Sequence, residues 1–182
     1  MDLNTHTLKE LSILIGGPVF QFLAYFILLK ILPEKEQLIK FYHYGILFFN
    51  LLPIYPLDGG KIIRLFLELF IPYKSSYQLI MKSSYIMVII IGIVGKNIQI
   101  NGIVMIIFLL ILITKEKHKI EYIYNKFLLE RYIRKYYFLK SKIIFNENNF
   151  YKNKKHILKI NENYILEKDY LKRKYQINYK KH

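Results

Sequence analysis

The residues whose types and spacing could perform chemistry lie between Asn50 and Gly60, in the sequence NLLPIYPLDGG. Asp58 is a carboxylate beside an apolar run that Pro53 and Pro56 interrupt. A charge at membrane depth costs about 2.5–3.5 kcal/mol unless a cation, a metal or water compensates it. Because the paired glycines that follow allow close approach of backbone, this segment predicts a site for such a partner around Asp58.

The same segment also has a purely structural explanation. An aspartate at the start of a helix can accept hydrogen bonds from the first amide groups of that helix, and Asp58 precedes a short apolar stretch, residues 62–71. The two prolines are predicted to hold the segment extended, where it could pair with another extended peptide. Asn50 adds an amide donor and acceptor. From these residues alone, the segment could be a helix cap or a binding segment.

Apolar runs on both sides of the segment predict transmembrane helices. Residues 11–32 are apolar over 22 positions, enough at about 1.5 Å per residue to cross a hydrocarbon core of about 30 Å. Residues 41–57 predict a broken span, since two prolines three apart cannot both lie in a regular helix. Residues 77–94 and 98–113 predict a helical hairpin that turns at 95–99. The expected fold class is an all-α polytopic membrane domain with about four transmembrane helices, a broken span and an extended Pro-rich segment.

Charge divides the chain at residue 114. The protein is 53% hydrophobic yet carries a formal net charge of +15. Residues 1–114 hold 9 basic and 6 acidic side chains, whereas residues 115–182 hold 19 and 7. We therefore predict a membrane-embedded domain over 1–114, a basic helical linker over 115–142 and a small α/β tail module over 143–182. The positive-inside rule predicts that this tail is cytoplasmic, and the lack of cysteine excludes disulfides and thiolate metal sites.

The basic tail raises the question of nucleic-acid binding, because Tyr and Phe are interleaved with Lys. Lys outnumbers Arg 24 to 4 and Ile supplies 32 residues, a skew typical of AT-rich coding sequence. Since Arg, the usual base-reading residue, is scarce, we predict association with anionic lipid or protein and no nucleic-acid partner. Residues 157–160 and 164–166, joined by 161–163, predict a strand, a turn and a strand.

The pattern Asn-x-x-Pro-x-x-Pro-Leu-Asp-Gly-Gly at residues 50–60 resembles the second signature of the site-2 proteases, which are intramembrane zinc metalloproteases. The resemblance covers about residues 8–140. Three further stretches resemble that family in the same order: residues 9–18 (KELSILIGGP, a lead-in ending in a small residue and Pro), the double span between 77 and 114, and residues 127–132 (FLLERY), similar to a linker of the sporulation branch.

The resemblance implies a zinc ion bound by two histidines and one aspartate, with a glutamate that activates water. Asp58 matches the aspartate ligand. Asn50 matches an asparagine that engages the substrate backbone, and Pro53 and Pro56 would shape the extended strand that aligns the substrate. The implied partners are membrane lipid, regulatory membrane proteins and a membrane-associated protein substrate, which the sporulation branch suggests is a sigma-factor precursor.

The first signature of that family, His-Glu-x-x-His, is missing from this chain. The histidines stand at positions 6, 43, 118, 156 and 182, and no two are four residues apart. We expect the motif to lie upstream of Met1, so the chain would hold the last four of six spans, one of three zinc ligands and no catalytic residue of its own. His6 and His43 are poor substitutes. The chain is therefore expected to be inactive as it stands, and a non-catalytic scaffold or pseudoprotease is the alternative.

Overall fold

The computed structural model describes residues 7–95, 99–134, 136–160 and 162–179. They fall into two compact units. The first, here called the helical unit, consists of Thr7–Leu65 and Ile80–Thr114. The second, the tail unit, combines the short stretch Phe66–Leu79 with the chain from Lys115 onward. The change of charge at residue 114 thus coincides with a boundary between units, but one internal stretch belongs with the tail.

Five helices cover the apolar part of the chain, and breakers in the sequence account for most of their ends. Pro33 follows the first helix and opens a 3-10 turn, and the residues just before Pro53 end the second. The helices are α1 (Thr7–Ile31), α2 (Glu36–Leu51), α3 (Asp58–Leu67), α4 (Tyr73–Val94) and α5 (Ile100–His118).

Two of these helices, rather than the predicted four, are long and apolar enough to cross a membrane among the described residues: Lys9–Ile31 and Tyr73–Val94. Helix α2 has 16 residues, about 24 Å at about 1.5 Å per residue, because its chain breaks before Pro53. Helix α5 has 19 residues, but its last turn carries charged and basic groups, which shorten its apolar part. The turn predicted over 95–99 includes residues 96–98, which lie outside the described residues.

Helix α1 presents most of its apolar surface outward. Phe20, Phe26 and Ile31 are 74%, 59% and 66% exposed, and none of its spanning window is buried. An apolar surface of this extent is unfavourable in water and favourable in hydrocarbon. The length and exposure of α1 therefore fit a lipid-facing helix.

The tail unit is a three-stranded sheet with helices. Its elements are α6 (Ile120–Ile133), β1 (Ser141–Ile144), β2 (Lys155–Ile160), β3 (Asn163–Leu166) and α7 (Glu167–Tyr179). The strand order is β1-β2-β3, with β1 parallel to β2 and β2 antiparallel to β3. The predicted strand, turn and strand is confirmed, although Asn161 of the turn lies outside the described residues.

The predicted helix over 115–142 is wrong in its second half. Helix α6 ends at Ile133, Arg134 is already extended, and β1 begins at Ser141. The aromatic run at 136–138 favours extended backbone over helix, so the residues that were expected to prolong the linker instead lead into the sheet.

The core of the tail unit forms between α6, the sheet and the start of α4. Phe127 and Leu128 of α6 and Phe150 are fully buried, and a large apolar side chain contributes about 1.5–3 kcal/mol when buried. Tyr73 stacks on Phe127 with ring centroids 4.1 Å apart, and its N–H donates to the Phe150 carbonyl at 2.9 Å. These contacts explain why the stretch around Tyr73 belongs to the tail unit.

Candidate functional site

The predicted site segment lies where helix α2 breaks. Helix α2 ends at Leu51, residues 52–57 are irregular, and α3 begins at Asp58. Pro53 and Pro56 cannot donate the hydrogen bonds that a continuing helix needs. The prediction of a broken helix here is confirmed, and the break brings Asp58 to the first turn of a new helix.

The extended conformation predicted for the segment around Pro53 and Pro56 is wrong, because Tyr55 and Pro56 form a turn and the chain bends on either side of it. The Ile54 N–H donates to the Leu52 carbonyl at 2.7 Å and the Leu57 N–H to the Ile54 carbonyl at 2.8 Å. The Tyr55–Pro56 peptide bond is cis. Backbone groups in apolar surroundings must be satisfied within the protein, and the turns satisfy the N–H groups of Ile54 and Leu57 locally.

The turn geometry limits how this segment can bind a peptide. Between 53 and 57, two residues are prolines without an N–H, and the other three N–H groups are all bonded, that of Tyr55 to Ser84 Oγ at 2.8 Å. A strand added to this segment would find carbonyl acceptors but no free amide donor. The described conformation therefore does not support substrate alignment by full strand pairing along Pro53 and Pro56.

At Gly59 and Gly60, the backbone of α3 packs directly against the backbone of the preceding segment. A Cβ at Gly59 would stand 2.5 Å from the Leu51 carbonyl carbon and from the Leu52 oxygen. A Cβ at Gly60 would stand 2.5 Å from the Ile54 carbonyl carbon and the Tyr55 nitrogen. No side chain fits at these distances, so the paired glycines let α3 begin directly against the turn.

Asp58 is 27% exposed and lies next to helix α1. Its Oδ1 accepts a hydrogen bond from Lys61 Nζ at 3.2 Å, and a Cβ added at Gly17 would lie 3.5 Å from its Oδ2. The first turn of a helix favours a carboxylate. The structure thus brings together two features predicted from separate stretches, the aspartate of the Pro-rich segment and the small residue before Pro18.

The other predicted binding residues stay close to Asp58 in sequence. Asn50 lies in the last turn of α2, and Pro53 and Pro56 lie in the turn segment; all three are half-buried. Their contact with a substrate stays a prediction.

A buried ion pair that we did not predict also belongs to the helical unit. Arg64 of α3 pairs with Glu10 of α1 at 3.6 Å, and the two are 8% and 6% exposed. Charged residues inside largely apolar segments are rare enough to mark such positions from sequence. This pair joins the helix that begins at Asp58 to α1.

The described residues do not form a zinc site. Among them there is no group of three His, Cys, Asp or Glu side chains that could hold a metal ion. His43 is 6% exposed and packs against aromatic rings, stacking on Tyr25 with centroids 4.3 Å apart. His6 lies outside the described residues. Asp58 is thus a single candidate ligand, and zinc does not fit the residues described.

The tail unit contains a buried polar cluster centred on Arg131. The guanidinium donates to both oxygens of Glu167, from Nε at 2.6 Å and from Nη2 at 3.1 Å, and also to the carbonyls of Tyr151, Lys152 and Lys154. Such a bidentate pair uses the fixed fork of Arg, which Lys cannot copy. The cluster ties α6 to the chain before β2 and to α7.

His156 completes this cluster as a neutral side chain. Its Nε2 accepts from the Tyr151 N–H at 2.9 Å, so its proton resides on Nδ1, which lies 3.0 Å from Glu167 Oε2. Burial lowers the pKa of His156 although Glu167 opposes this. Burial alone would raise the pKa of Glu167, but hydrogen bonds from His156 and Arg131 outweigh it and lower the pKa to about 2.

We expect the tail unit to lose stability on acidification. Both pKa values are depressed in the folded state, so each group contributes stability that is present above its unfolded pKa and lost as pH falls. The loss begins below about 6.5 for His156 and, for Glu167, proceeds from about 4.5 down to about 2. Hydrogen exchange of β2 and α7 as a function of pH would measure it. Greater protection at pH 5 than at pH 8 would contradict this assignment.

A second buried ion pair lies within the tail unit. Lys152 Nζ contacts Glu68 Oε2 at 3.4 Å, with both side chains about 1% exposed or less. Lys74 in the same stretch pairs with Glu121 at 2.5 Å. The basic tail therefore contains buried cations with specific partners, Lys152 as well as Arg131. Arg64 and Arg131 are buried in ion pairs, whereas Arg134 and Arg173 are exposed, so residue type alone did not mark the buried cations.

Helices of spanning length and the segment Asn-x-x-Pro-x-x-Pro-Leu-Asp-Gly-Gly at a broken helix are consistent with a membrane protein of the site-2 protease type. No family model matches the chain. The chain is similar to stage IV sporulation protein FB of Bacillus subtilis (strain 168), at 34% identity over 136 residues, which is 70% of this chain and 47% of that relative. The chain thus spans about half the length of this curated relative. The similarity supports a relationship to the site-2 proteases.

Proposed function

We propose that the chain is part of a site-2-type intramembrane zinc metalloprotease that hydrolyses peptide bonds of a membrane-associated substrate. The observation that carries this proposal is the placement of Asp58. Its carboxylate lies in the first turn of α3 against Gly17 of α1, so two stretches that resemble the family separately also meet in the fold. The 34% identity to the sporulation protein over 136 residues also supports the proposal.

We propose Asp58 as one ligand of a zinc site that this chain does not complete. His-Glu-x-x-His is missing from its 182 residues, so two histidine ligands and the catalytic glutamate would have to come from sequence outside them. We assign no catalytic step to the described residues. Asn50 is the proposed contact to substrate backbone, since its amide can both donate and accept.

The proposed setting is a multi-pass membrane protein with a cytoplasmic tail. The apolar surface of α1 and the charge of the chain beyond residue 114 support this arrangement. The proposed partners are lipid, regulatory membrane proteins and a protein substrate. The sporulation branch that the sequence resembles suggests a sigma-factor precursor as this substrate, and the name of the Bacillus relative refers to sporulation. A nucleic-acid partner is not proposed.

Replacing Asp58 with alanine tests the ligand assignment. In a chimera that supplies a His-Glu-x-x-His span ahead of Met1, Asp58→Ala should abolish cleavage of a membrane-tethered reporter and lower bound zinc, because one of three ligands is lost. Membrane insertion should be unchanged. Asp169→Ala, which alters an exposed aspartate of α7, is the matched control. Cleavage and zinc content equal to those of the parent chimera would refute the assignment.

The missing motif favours a second candidate, a non-catalytic membrane scaffold. The two candidates differ in what the DNA ahead of Met1 encodes. An in-frame His-Glu-x-x-His, or one that a single frameshift separates, supports the protease. An unrelated protein in that position supports the scaffold.

A further inference from the structure

The peptide unit between Ile54 and Tyr55 is held by two helices of the helical unit. From α4, Ser84 Oγ accepts the Tyr55 N–H at 2.8 Å. From α3, Gly60 packs so closely that an added Cβ would lie 2.5 Å from the Tyr55 nitrogen. Ser84 and Ile54 are both 0% exposed, so water cannot replace the hydroxyl at this bond.

The hydrogen-bonding capacity of Ser84 suits this task. A serine hydroxyl has one proton to donate and lone pairs that accept. Ser84 donates to the Ile80 carbonyl at 2.7 Å, which directs its proton back along α4 and leaves a lone pair for Tyr55. The neighbouring Ser83 donates to the same Ile80 carbonyl at 3.0 Å but is partly buried rather than enclosed. The two adjacent serines therefore differ in their contact with the turn.

We infer that Ser84 is a positioning residue that fixes the direction of the Asp58 carboxylate. The Ser84 hydroxyl holds the Ile54–Tyr55 peptide unit in place, and Gly60 packs directly against that peptide unit. Gly60 follows Asp58 by two residues in the first turn of α3, so the position of the peptide unit sets the position of Asp58. The role of this carboxylate toward a bound ligand rests on the proposed function, whereas the effect of Ser84 on its position does not.

Removal of the hydroxyl has a defined consequence. In Ser84→Ala the Tyr55 N–H would remain buried without its acceptor, which is unfavourable, and the turn can relieve this only by moving toward water. Alanine favours helix, so α4 itself should persist. The change should therefore appear at residues 52–57 and at position 58 rather than along α4.

Two measurements on the 182-residue chain in lipid nanodiscs test this inference. The chain has no cysteine, so Asp58→Cys gives a single reporter whose rate of reaction with a maleimide reports its exposure. The second measurement is hydrogen exchange of residues 52–57, where the prolines leave few amides to resolve. Both are made with Ser84→Ala, with Ser83→Ala as the matched control and with Ser84→Thr as the conservative variant.

We expect Ser84→Ala to change the maleimide rate and the exchange of residues 52–57 by about fivefold, the factor for one typical net hydrogen bond. Ser83→Ala should change both less than about twofold, and Ser84→Thr should restore them. Equal effects of the two alanine variants, or no effect of Ser84→Ala, would overturn the inference. Because the reporter replaces Asp58, neither zinc nor cleavage enters the measurement, and the Asp58→Ala experiment decides the proposed function separately.

Discussion

Gly60→Ala is expected to destabilise the helical unit by about 1–3 kcal/mol, as other overpacked positions do. The new Cβ would stand 2.5 Å from the Ile54 carbonyl carbon and the Tyr55 nitrogen. These are backbone atoms, and Ser84 also holds this peptide unit, so no flexible side chain can move aside. The gain in helix propensity, about 1 kcal/mol, only partly offsets the clash.

Gly45→Ala is the matched control for this prediction. Gly45 also lies in a helix, α2, but a Cβ added there meets nothing within 4 Å. Gly45→Ala should therefore be stabilising by up to about 1 kcal/mol, since only the gain in helix propensity remains. Denaturant unfolding of the detergent-solubilised chain measures both variants. Equal unfolding midpoints for the two alanine variants would contradict the close packing of Gly60 against the turn.

The sequence predicted the position of the helix break but not its conformation. Two prolines three residues apart exclude a regular helix, whatever surrounds them. Whether the freed backbone then extends or turns depends on which groups accept its N–H bonds. The acceptor for Tyr55 is Ser84, 29 residues away, and such a partner cannot be read from local sequence. That is why an extended strand was expected where turns occur.

The predicted number of transmembrane spans is wrong for a related reason. Apolar runs are visible in sequence, but the length of a helix depends on where its ends form. Basic residues from which a cytoplasmic tail is predicted also occupy the last turn of α5, and the break before Pro53 limits α2. Two helices of spanning length remain among the residues that the structure describes.

The roles assigned to Asp58, Asn50, Pro53 and Pro56 stay predictions. The meeting of Asp58 with Gly17 agrees with the family resemblance, because the resemblance named both stretches. The residues that support the site, Ser84, Glu10 and Arg64, were not predicted. The charges of Glu10 and Arg64 mark them as unusual in apolar segments. Their pairing, and the contact of Ser84, depend on helices far apart in sequence, which composition and periodicity do not show.

The Arg131 cluster shows the same limit in the tail unit. A Lys-rich segment with biased composition predicts a solvated surface, and most of its lysines fit that expectation. Arg131 does not, because it is buried and donates to Glu167, 36 residues further along the chain. The effect of removing one partner from such a cluster measures how much the stability of the tail unit depends on the cluster.

Arg131→Met is expected to destabilise the tail unit by about 3–5 kcal/mol, because Glu167 would be left as a buried charge without its main partner. Arg131→Lys should recover only part of this loss, since Lys keeps the charge but not the fork that serves two carboxylate oxygens. The control is Arg173→Met on the exposed face of α7, which should change stability by less than about 0.5 kcal/mol.

The double variant Arg131→Met/Glu167→Gln tests whether the loss of stability comes from the unpaired buried carboxylate or from the other contacts of Arg131. If the uncompensated carboxylate dominates, the double variant should be destabilised by less than the sum of the two single changes, since residues in one network are not additive. Hydrogen exchange of β2 and α7 in the intact chain provides the measurement. Additive effects would instead show that Arg131 stabilises the tail unit through its bonds to the carbonyls before β2, with Glu167 as a separate contributor.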